Sequence, residues 1–114
     1  MDTGIDDALA LIYLAMMRRA GSLELLGCST VAGNVDLKQT TLNTFRMWEW
    51  LKFPVTVAEG SEKPFLTTLN PAPFIHGDDG LGNSWLSKPK SQVIDESVTD
   101  LLIRLSHEQQ GELT

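Results

Sequence analysis

Residues 2–21 read Asp-Thr-Gly-Ile-Asp-Asp-Ala-Leu-Ala-Leu-Ile-Tyr-Leu-Ala-Met-Met-Arg-Arg-Ala-Gly, which places three aspartates directly before a long apolar segment. The apolar part predicts a helix over residues 8–20 that is largely buried, because hydrophobic side chains occupy nearly all of its faces. Arg18 and Arg19 fall in the last turn and Gly21 just beyond it, which is typical of a helix end. The aspartates therefore lie at the beginning of a buried helix.

The rest of the chain alternates between short apolar runs and amphipathic segments. This predicts, in order, a strand over residues 23–31, a helix over 37–51 that Asp36 caps, a strand over 54–58, a long loop over 61–91 and a helix over 95–109. Such alternation favours an α/β fold with a mostly parallel sheet and helices on both faces. A sheet of this kind needs a strand before its first helix, so we expect the fold to be truncated at both ends.

Charge and length exclude several classes of protein. The 114 residues carry a net charge of −6, whereas a nucleic-acid surface needs clustered lysine and arginine. The longest apolar stretch, residues 8–17, is too short to cross a bilayer, and the acidic residues before it do not suit a signal peptide. Cys28 is the single cysteine, which favours a small buried side chain over a disulfide. We therefore expect a cytoplasmic protein with no nucleic-acid or membrane partner.

The acidic run is consistent with two different roles. In an open α/β sheet, ligands bind at the carboxyl ends of the strands, where Asp2 would lie, while Asp6 and Asp7 would begin the first helix. Gly4 lets the backbone turn between them. Three carboxylates this close would repel one another, so a bound Ca²⁺ or Mg²⁺ would stabilise them. Alternatively, Asp6 and Asp7 only complement the helix dipole, which is worth about 0.3–1 kcal/mol for each carboxylate.

Three blocks of sequence resemble one enzyme family, in the order in which that family has them. The opening run resembles the signature Asp-x-Asp-Pro-Gly-x-Asp-Asp, although Thr3 replaces the proline and the leading aspartate and its strand are missing. The further blocks are Val-Ala-Gly-Asn-Val at residues 31–35, followed by Thr40, Thr41 and Asn43, and His-Gly-Asp-Asp-Gly-Leu-Gly at residues 76–82. Across essentially its whole length, the chain therefore resembles the inosine-uridine preferring nucleoside hydrolases.

The resemblance implies a fold and an activity. Residues 1–114 would be the N-terminal portion of a single nucleoside hydrolase domain, with a Rossmann-like α/β fold. The activity would be the Ca²⁺-dependent hydrolysis of the N-glycosidic bond of ribonucleosides to free base and ribose, as in nucleoside salvage. The water would attack the anomeric carbon through an oxocarbenium-like state.

The resemblance also implies roles for five residues. Asp2 would ligate the metal and act as general base on the attacking water, and Asp7 would be a second metal ligand. Asp6 and Asn34 would contact the ribose. His76 would protonate the leaving base, since histidine is a suitable proton donor near neutral pH.

Simpler interpretations stay open for several of these positions. Asn34 follows a glycine and could be an ordinary turn residue, and His76 could be a loop histidine that packs or caps. We expect structural roles for the remaining polar residues of the blocks, which are Thr40, Thr41, Asn43, Asp78 and Asp79. His107 is expected at the surface and Trp48 in the core, while Trp85 is a weak candidate for stacking on a base.

Further metal ligands of the family would lie beyond Thr114. The chain alone would then be inactive or would need another chain to complete its site, and exposed sheet edges and helix faces favour association with a second copy. The main alternative is a non-catalytic fragment or pseudoenzyme that folds or self-associates without turnover. A phosphate-handling hydrolase with Asp2 as nucleophile is a third possibility, but the Asp6-Asp7 pair and the Gly33-Asn34 block do not suit it.

Overall fold

The computed structural model describes residues 1–113. Its elements in chain order are α1 (Ile5–Arg19), β1 (Cys28–Thr30), α2 (Leu37–Leu51), β2 (Val57–Glu59), α3 (Pro73–His76) and α4 (Val98–Glu108). Within these residues, no helix is both long and apolar enough to cross a membrane.

Two short parallel strands form the centre of the fold. β1 pairs with β2 in a register that places Cys28 opposite Val57 and Thr30 opposite Glu59. On the other edge of β1, the Met1 amino group donates to the Ser29 carbonyl at 2.9 Å, and the Met1 carbonyl accepts from the Val31 amide at 2.9 Å. This pair of bonds is a parallel bridge. The first residue thus pairs with the edge of β1, although no strand is assigned before α1 among the described residues.

Helices cover both faces of this sheet, as predicted. On one face, the hydroxyls of Thr30 in β1 and Thr41 in α2 are 2.9 Å apart and share a hydrogen bond. On the other face, α4 lies over the residue before β1, where a Cβ at Gly27 would be 3.5 Å from a Leu101 methyl carbon. α1 packs against α2. The core between them consists of Leu11, Ala15, Phe45, Met47, Trp48, Leu51 and Val57.

Helix α2 follows the sequence prediction at both ends. It spans the predicted residues, and the Asp36 carboxylate caps it by accepting a bond from the Gln39 amide at 2.8 Å. α4 is shorter than predicted, because the Ser97 hydroxyl caps it and accepts from the Asp100 amide at 3.1 Å. Both strands are also shorter than predicted, and the loop over 61–91 contains α3.

The prediction of a largely buried first helix is wrong. Only Leu11 and Ala15 of α1 are buried. The opposite face leaves Leu9, Tyr13 and Met16 exposed by 66%, 61% and 61%. Hydrophobic content on all sides therefore does not mean that all sides are covered within residues 1–113.

Candidate active site

Asp2 and Asn34 meet at the carboxyl ends of two neighbouring chain segments of the sheet. Asp2 directly follows the Met1 bridge, and Asn34 lies four residues beyond the end of β1 at Thr30. The Asn34 amide donates to Asp2 Oδ2 at 3.0 Å, and Asn34 Nδ2 makes a longer bond of 3.3 Å to the Asp2 carbonyl. A Cβ on Gly33 would overlap Asp2 Oδ2, so a glycine is needed for this approach. The Asp2 carboxylate is therefore held in a fixed orientation.

The carboxylate of Asp7 lies beside Asp2. The Asp2 amide donates to Asp7 Oδ2 at 3.0 Å. Partial burial, and after it the negative charge of Asp2, raise the pKa of Asp7 above its ordinary value. The two acids thus carry an electrostatic strain that a cation would relieve.

His76 reaches the same place from α3, far along the chain. Its Nδ1 accepts a hydrogen bond from the Ile5 amide at 3.2 Å. Gly4 supplies no side chain to cap α1, so His76 satisfies one of the free amides at the helix start. A Cβ at Gly4 would lie 2.5 Å from His76 Nδ1, which requires glycine there. Because Nδ1 is the acceptor, the proton of the neutral imidazole resides on Nε2.

The third aspartate of the opening run points away from the other two. The Asp6 side chain is 78% exposed, and its Oδ1 lies 3.8 Å from His76 Nδ1. No group of three acidic, histidine or cysteine side chains among residues 1–113 is arranged to hold a metal ion. Asp2 and Asp7 adjoin, whereas Asp6 faces solvent beside His76.

Asp79 organises the loop that follows His76. Its side chain is buried, and its Oδ1 accepts from the amides of Leu81 and Asn83, both at 2.8 Å. Its Oδ2 accepts from the Trp85 amide at 2.9 Å. Burial alone would raise the pKa of Asp79, but these three amides together hold it below its ordinary value. The prediction that this residue shapes the loop is confirmed.

Asn43 is the residue whose importance the sequence least reveals. It is fully buried in α2, and its Nδ2 donates to the Asp79 carbonyl at 2.7 Å. The structural role predicted for it is confirmed, as is that of Thr41 through its bond to Thr30. A polar side chain on the buried face of an amphipathic helix was the available sign, but it does not tell which segment the side chain binds.

The remaining predicted residues lie where their chemistry suggests. Trp48 belongs to the core and His107 is exposed at the surface, as predicted. Trp85 is largely exposed. Cys28 is partly buried, and this burial raises the pKa of its thiol, which does not favour a reactive thiolate.

The whole chain matches one family in sequence. The sequence model of the inosine-uridine preferring nucleoside hydrolases covers residues 1–114. The chain belongs to this family. Gly4, Asn34 and His76 come from its three different sequence blocks and lie close together in the structure.

Individual nucleoside hydrolases resemble the chain in sequence and in structure. Probable uridine nucleosidase 1 of Oryza sativa subsp. japonica is 37% identical over an alignment of 116 residues that covers 99% of this chain and 35% of that protein. A solved plant nucleoside hydrolase has a TM-score of 0.84 at 32% identity, covering 98% of this chain and 35% of that one. For a purine-preferring ribonucleoside hydrolase from Gardnerella vaginalis, the TM-score is 0.78 at 30% identity, with 95% and 35% covered.

These comparisons confirm the predicted family and fold class. The chain spans roughly a third of the length of the nucleoside hydrolases that it matches. Its short parallel sheet with α2 and α4 on opposite faces is thus part of a nucleoside hydrolase fold.

Proposed function

We propose that the protein hydrolyses the N-glycosidic bond of ribonucleosides to free base and ribose. We also propose that residues 1–114 form the N-terminal portion of a single nucleoside hydrolase domain. The observation that supports this most is the Asp2 carboxylate, fixed by the Asn34 amide over Gly33 and adjoining the carboxylate of Asp7. Membership of the nucleoside hydrolase family and the names of the relatives support the same reaction.

Asp2 is the proposed general base. Its Oδ2 is engaged by the Asn34 amide, whereas Oδ1 has no hydrogen-bond partner within residues 1–113. Oδ1 is therefore the atom that takes a proton from the attacking water as the water adds to the anomeric carbon. The negative charge of the Asp2–Asp7 pair also stabilises the positive charge that develops on the sugar.

Asp6 and Asn34 are the proposed ribose contacts. The Asp6 carboxylate is mostly exposed at the start of α1, which leaves its oxygens able to accept bonds from sugar hydroxyls. Asn34 uses its Nδ2 to bind the Asp2 carbonyl, so its Oδ1 is the atom available to the sugar. Both residues thus orient the ribose relative to Asp2.

His76 is the proposed proton donor to the leaving base. Its Nδ1 accepts from the Ile5 amide, so the proton lies on Nε2 and is directed away from the helix. A neutral imidazole that gave up this proton would become an imidazolate, so donation to the base as the glycosidic bond breaks requires the imidazolium, in which Nδ1 also carries a proton and no longer accepts from the Ile5 amide. The Asp6 carboxylate, whose Oδ1 lies 3.8 Å from Nδ1, would pair with that second proton, and after donation His76 returns to the neutral form that caps α1.

Calcium is the proposed metal, and Asp2 and Asp7 are the residues that would hold it. Carboxylate oxygens are hard ligands of the kind that Ca²⁺ prefers. The pKa of Asp7 is raised by partial burial and, after it, by the negative charge of Asp2, which a cation would balance. When bound, Ca²⁺ makes a water more acidic and orients it. Because Ca²⁺ takes about six to eight oxygen ligands, we propose that the others lie outside the described residues.

The experiment measures the ribose released from inosine, from uridine and from a set of further purine nucleosides. It is run with Ca²⁺ or with a chelator, on the full-length protein and on residues 1–114. We expect Ca²⁺-dependent release by the full-length protein, and its loss in the isosteric variants Asp2→Asn and Asp7→Asn. Asp95→Asn is the control, because this carboxylate is exposed and distant in sequence from the site. No release at any calcium concentration would contradict the proposal.

A non-catalytic chain is the second candidate. The observation that favours it is that no group of three acidic, histidine or cysteine side chains within residues 1–113 is arranged to hold a metal ion, whereas a calcium site takes about six to eight oxygen ligands. It predicts that the full-length protein binds a nucleoside or itself without releasing ribose. The names of the relatives point to different bases, so the substrate series in the same assay also settles the base preference.

We further propose a cytoplasmic protein that forms a homo-oligomer. The exposed apolar face of α1 supports self-association, since large exposed apolar patches are usually covered in an interface.

A further inference from the structure

One turn of α2 holds both halves of the candidate site. Thr44 binds the acidic segment, because its hydroxyl lies 2.6 Å from the hydroxyl of Thr3. The neighbouring Asn43 binds the loop after His76 through its 2.7 Å bond to the Asp79 carbonyl. A weaker contact of 3.4 Å joins Asn43 Nδ2 to the Thr3 carbonyl. Asn43 thus lies between the segment that carries Asp2 and the loop that carries His76.

The Asn43 amide has all of its hydrogen bonds inside the protein. Its Oδ1 accepts from Gln39 Nε2 at 2.9 Å and from Arg46 Nη1 at 3.2 Å. Its Nδ2 donates to the carbonyls of Asp79 and Thr3. The side chain is completely buried. A buried amide with four partners has one favoured orientation, because any rotation leaves polar atoms unpaired.

Backbone hydrogen bonds connect the loop segment that packs on Asn43 to His76. Gly80 has a φ of +75°, and a Cβ there would lie 2.8 Å from Asn43 Nδ2, so the loop packs directly on the amide. The Gly80 amide donates to the Gly77 carbonyl at 3.0 Å, and the Gly82 amide donates to the His76 carbonyl at 2.7 Å. These bonds connect the residue that Asn43 holds to the residue that bears the imidazole.

We propose that Asn43 is a positioning residue that sets the place of the His76 imidazole, an inference that rests on the proposed function. Asn43 touches neither the sugar nor the base. It acts by fixing the Asp79 carbonyl, both directly and by holding Gln39 Nε2, which donates to the same carbonyl at 3.0 Å, and hence the turn from Gly77 to Gly82. Its loss therefore impairs protonation of the leaving group. The segment of Asp2 loses only the 3.4 Å contact and keeps the 2.6 Å bond between the Thr3 and Thr44 hydroxyls, so activation of the water by Asp2 stays intact.

The test compares two leaving groups on the same sugar. A nucleoside base needs a proton as it departs, whereas 4-nitrophenyl β-ribofuranoside releases a stable phenolate that needs none. In Asn43→Ala and Asn43→Asp, neither of which can donate to the carbonyls, we expect kcat on uridine or inosine to fall by about tenfold or more. Activity on the nitrophenyl riboside stays within about twofold of the wild type, since water activation is unaffected. Thr41→Val is the matched control, because it removes one buried bond of the same helix that does not involve the loop.

Three outcomes are decisive. An equal loss on both substrates overturns the positioning role in favour of a general structural one. A wild type that cleaves neither substrate overturns the proposed function instead. Independently of activity, ¹⁵N NMR of the full-length protein reports the His76 tautomer, which we expect as Nε2–H in the wild type and as a mixture in Asn43→Ala. An unchanged imidazole spectrum in that variant overturns the inference even where no turnover is seen.

Discussion

Asp2 and Gly33 approach so closely that no side chain fits between the Asp2 carboxylate and the backbone at position 33. The Asn34 amide donates to the same carboxylate. The conformation of the segment after β1 therefore determines the orientation of Asp2, the proposed base. A change at Gly33 moves Asp2 even though the two residues are far apart in sequence.

Gly33→Ala should therefore reduce ribose release without unfolding the chain. The added methyl displaces the Asp2 carboxylate, and a shift of about 1 Å in a catalytic group can cost on the order of 100-fold in rate. The measurements are kcat with uridine and the calcium dissociation constant, with thermal unfolding in parallel. Gly27→Ala is the control, because its Cβ would make ordinary contacts at 3.5 Å or more. Equal activity of the Gly33 variant and the wild type would show that Asp2 is not the base.

Substitutions of His76 should separate its two roles. His76→Ala removes the acceptor for the Ile5 amide and should lower the free energy of unfolding by about 0.5–2 kcal/mol, as expected for a lost cap. In His76→Asn, the amide oxygen replaces Nδ1, so stability should stay near that of the wild type. The proton donor on Nε2 is still lost, and kcat on nucleosides should fall by about 10²–10⁴-fold.

Chemical denaturation and steady-state kinetics measure these two effects. A fully active His76→Asn protein would rule out proton donation by His76. A His76→Ala protein as stable as the wild type would rule out its role as a cap.

The bond from the Ile5 amide to His76 Nδ1 shows which part of the fold the sequence could predict and which it could not. α2 was predicted with correct ends, because Asp36 and the helical spacing of apolar residues are local features. α1 begins at Ile5, three residues before its predicted start, and the side chain that binds its first amide is His76, which lies 71 positions away. No local pattern predicts a cap supplied from so far along the chain.

For the site, the sequence predicted the residues better than their arrangement. The acidic run was visible as a motif, but its spacing alone did not show that Asp7 turns toward Asp2 and Asp6 toward solvent. The link from Asn43 to Asp79 spans 36 positions. Both residues were expected to be structural, yet their partnership follows from tertiary packing, which no periodicity encodes.

Asp79→Asn should destabilise the fold at neutral pH. The carboxylate accepts three backbone amides, and the variant places an NH₂ group against at least one of them, at a cost of about 1–3 kcal/mol. Because the pKa of Asp79 is lowered in the folded chain, folding favours the ionised form. This contribution is fully present above the unfolded-state pKa, near about 3.9, and is lost as the pH falls through the lower folded-state pKa.

Thermal unfolding between pH 2 and 7 is the measurement for Asp79. The gap in stability between the wild type and Asp79→Asn should be widest at neutral pH and should narrow below about pH 4. The adjacent Asp78 is exposed, so Asp78→Asn should follow the wild type at every pH. A gap that does not depend on pH would contradict an ionised Asp79 in the folded state.

The exposed face of α1 should drive association of residues 1–114. Leu9, Tyr13 and Met16 recur on one side of the helix at a spacing of three to four residues, so they form a continuous apolar surface. Sedimentation velocity should show oligomers for the wild-type chain, and the double variant Leu9→Lys, Met16→Lys should be monomeric at the same concentration. Asn70→Lys is the control, because it adds a charge at an exposed loop position outside α1. A wild-type chain that stays monomeric at high concentration would mean that this surface does not bind a second copy.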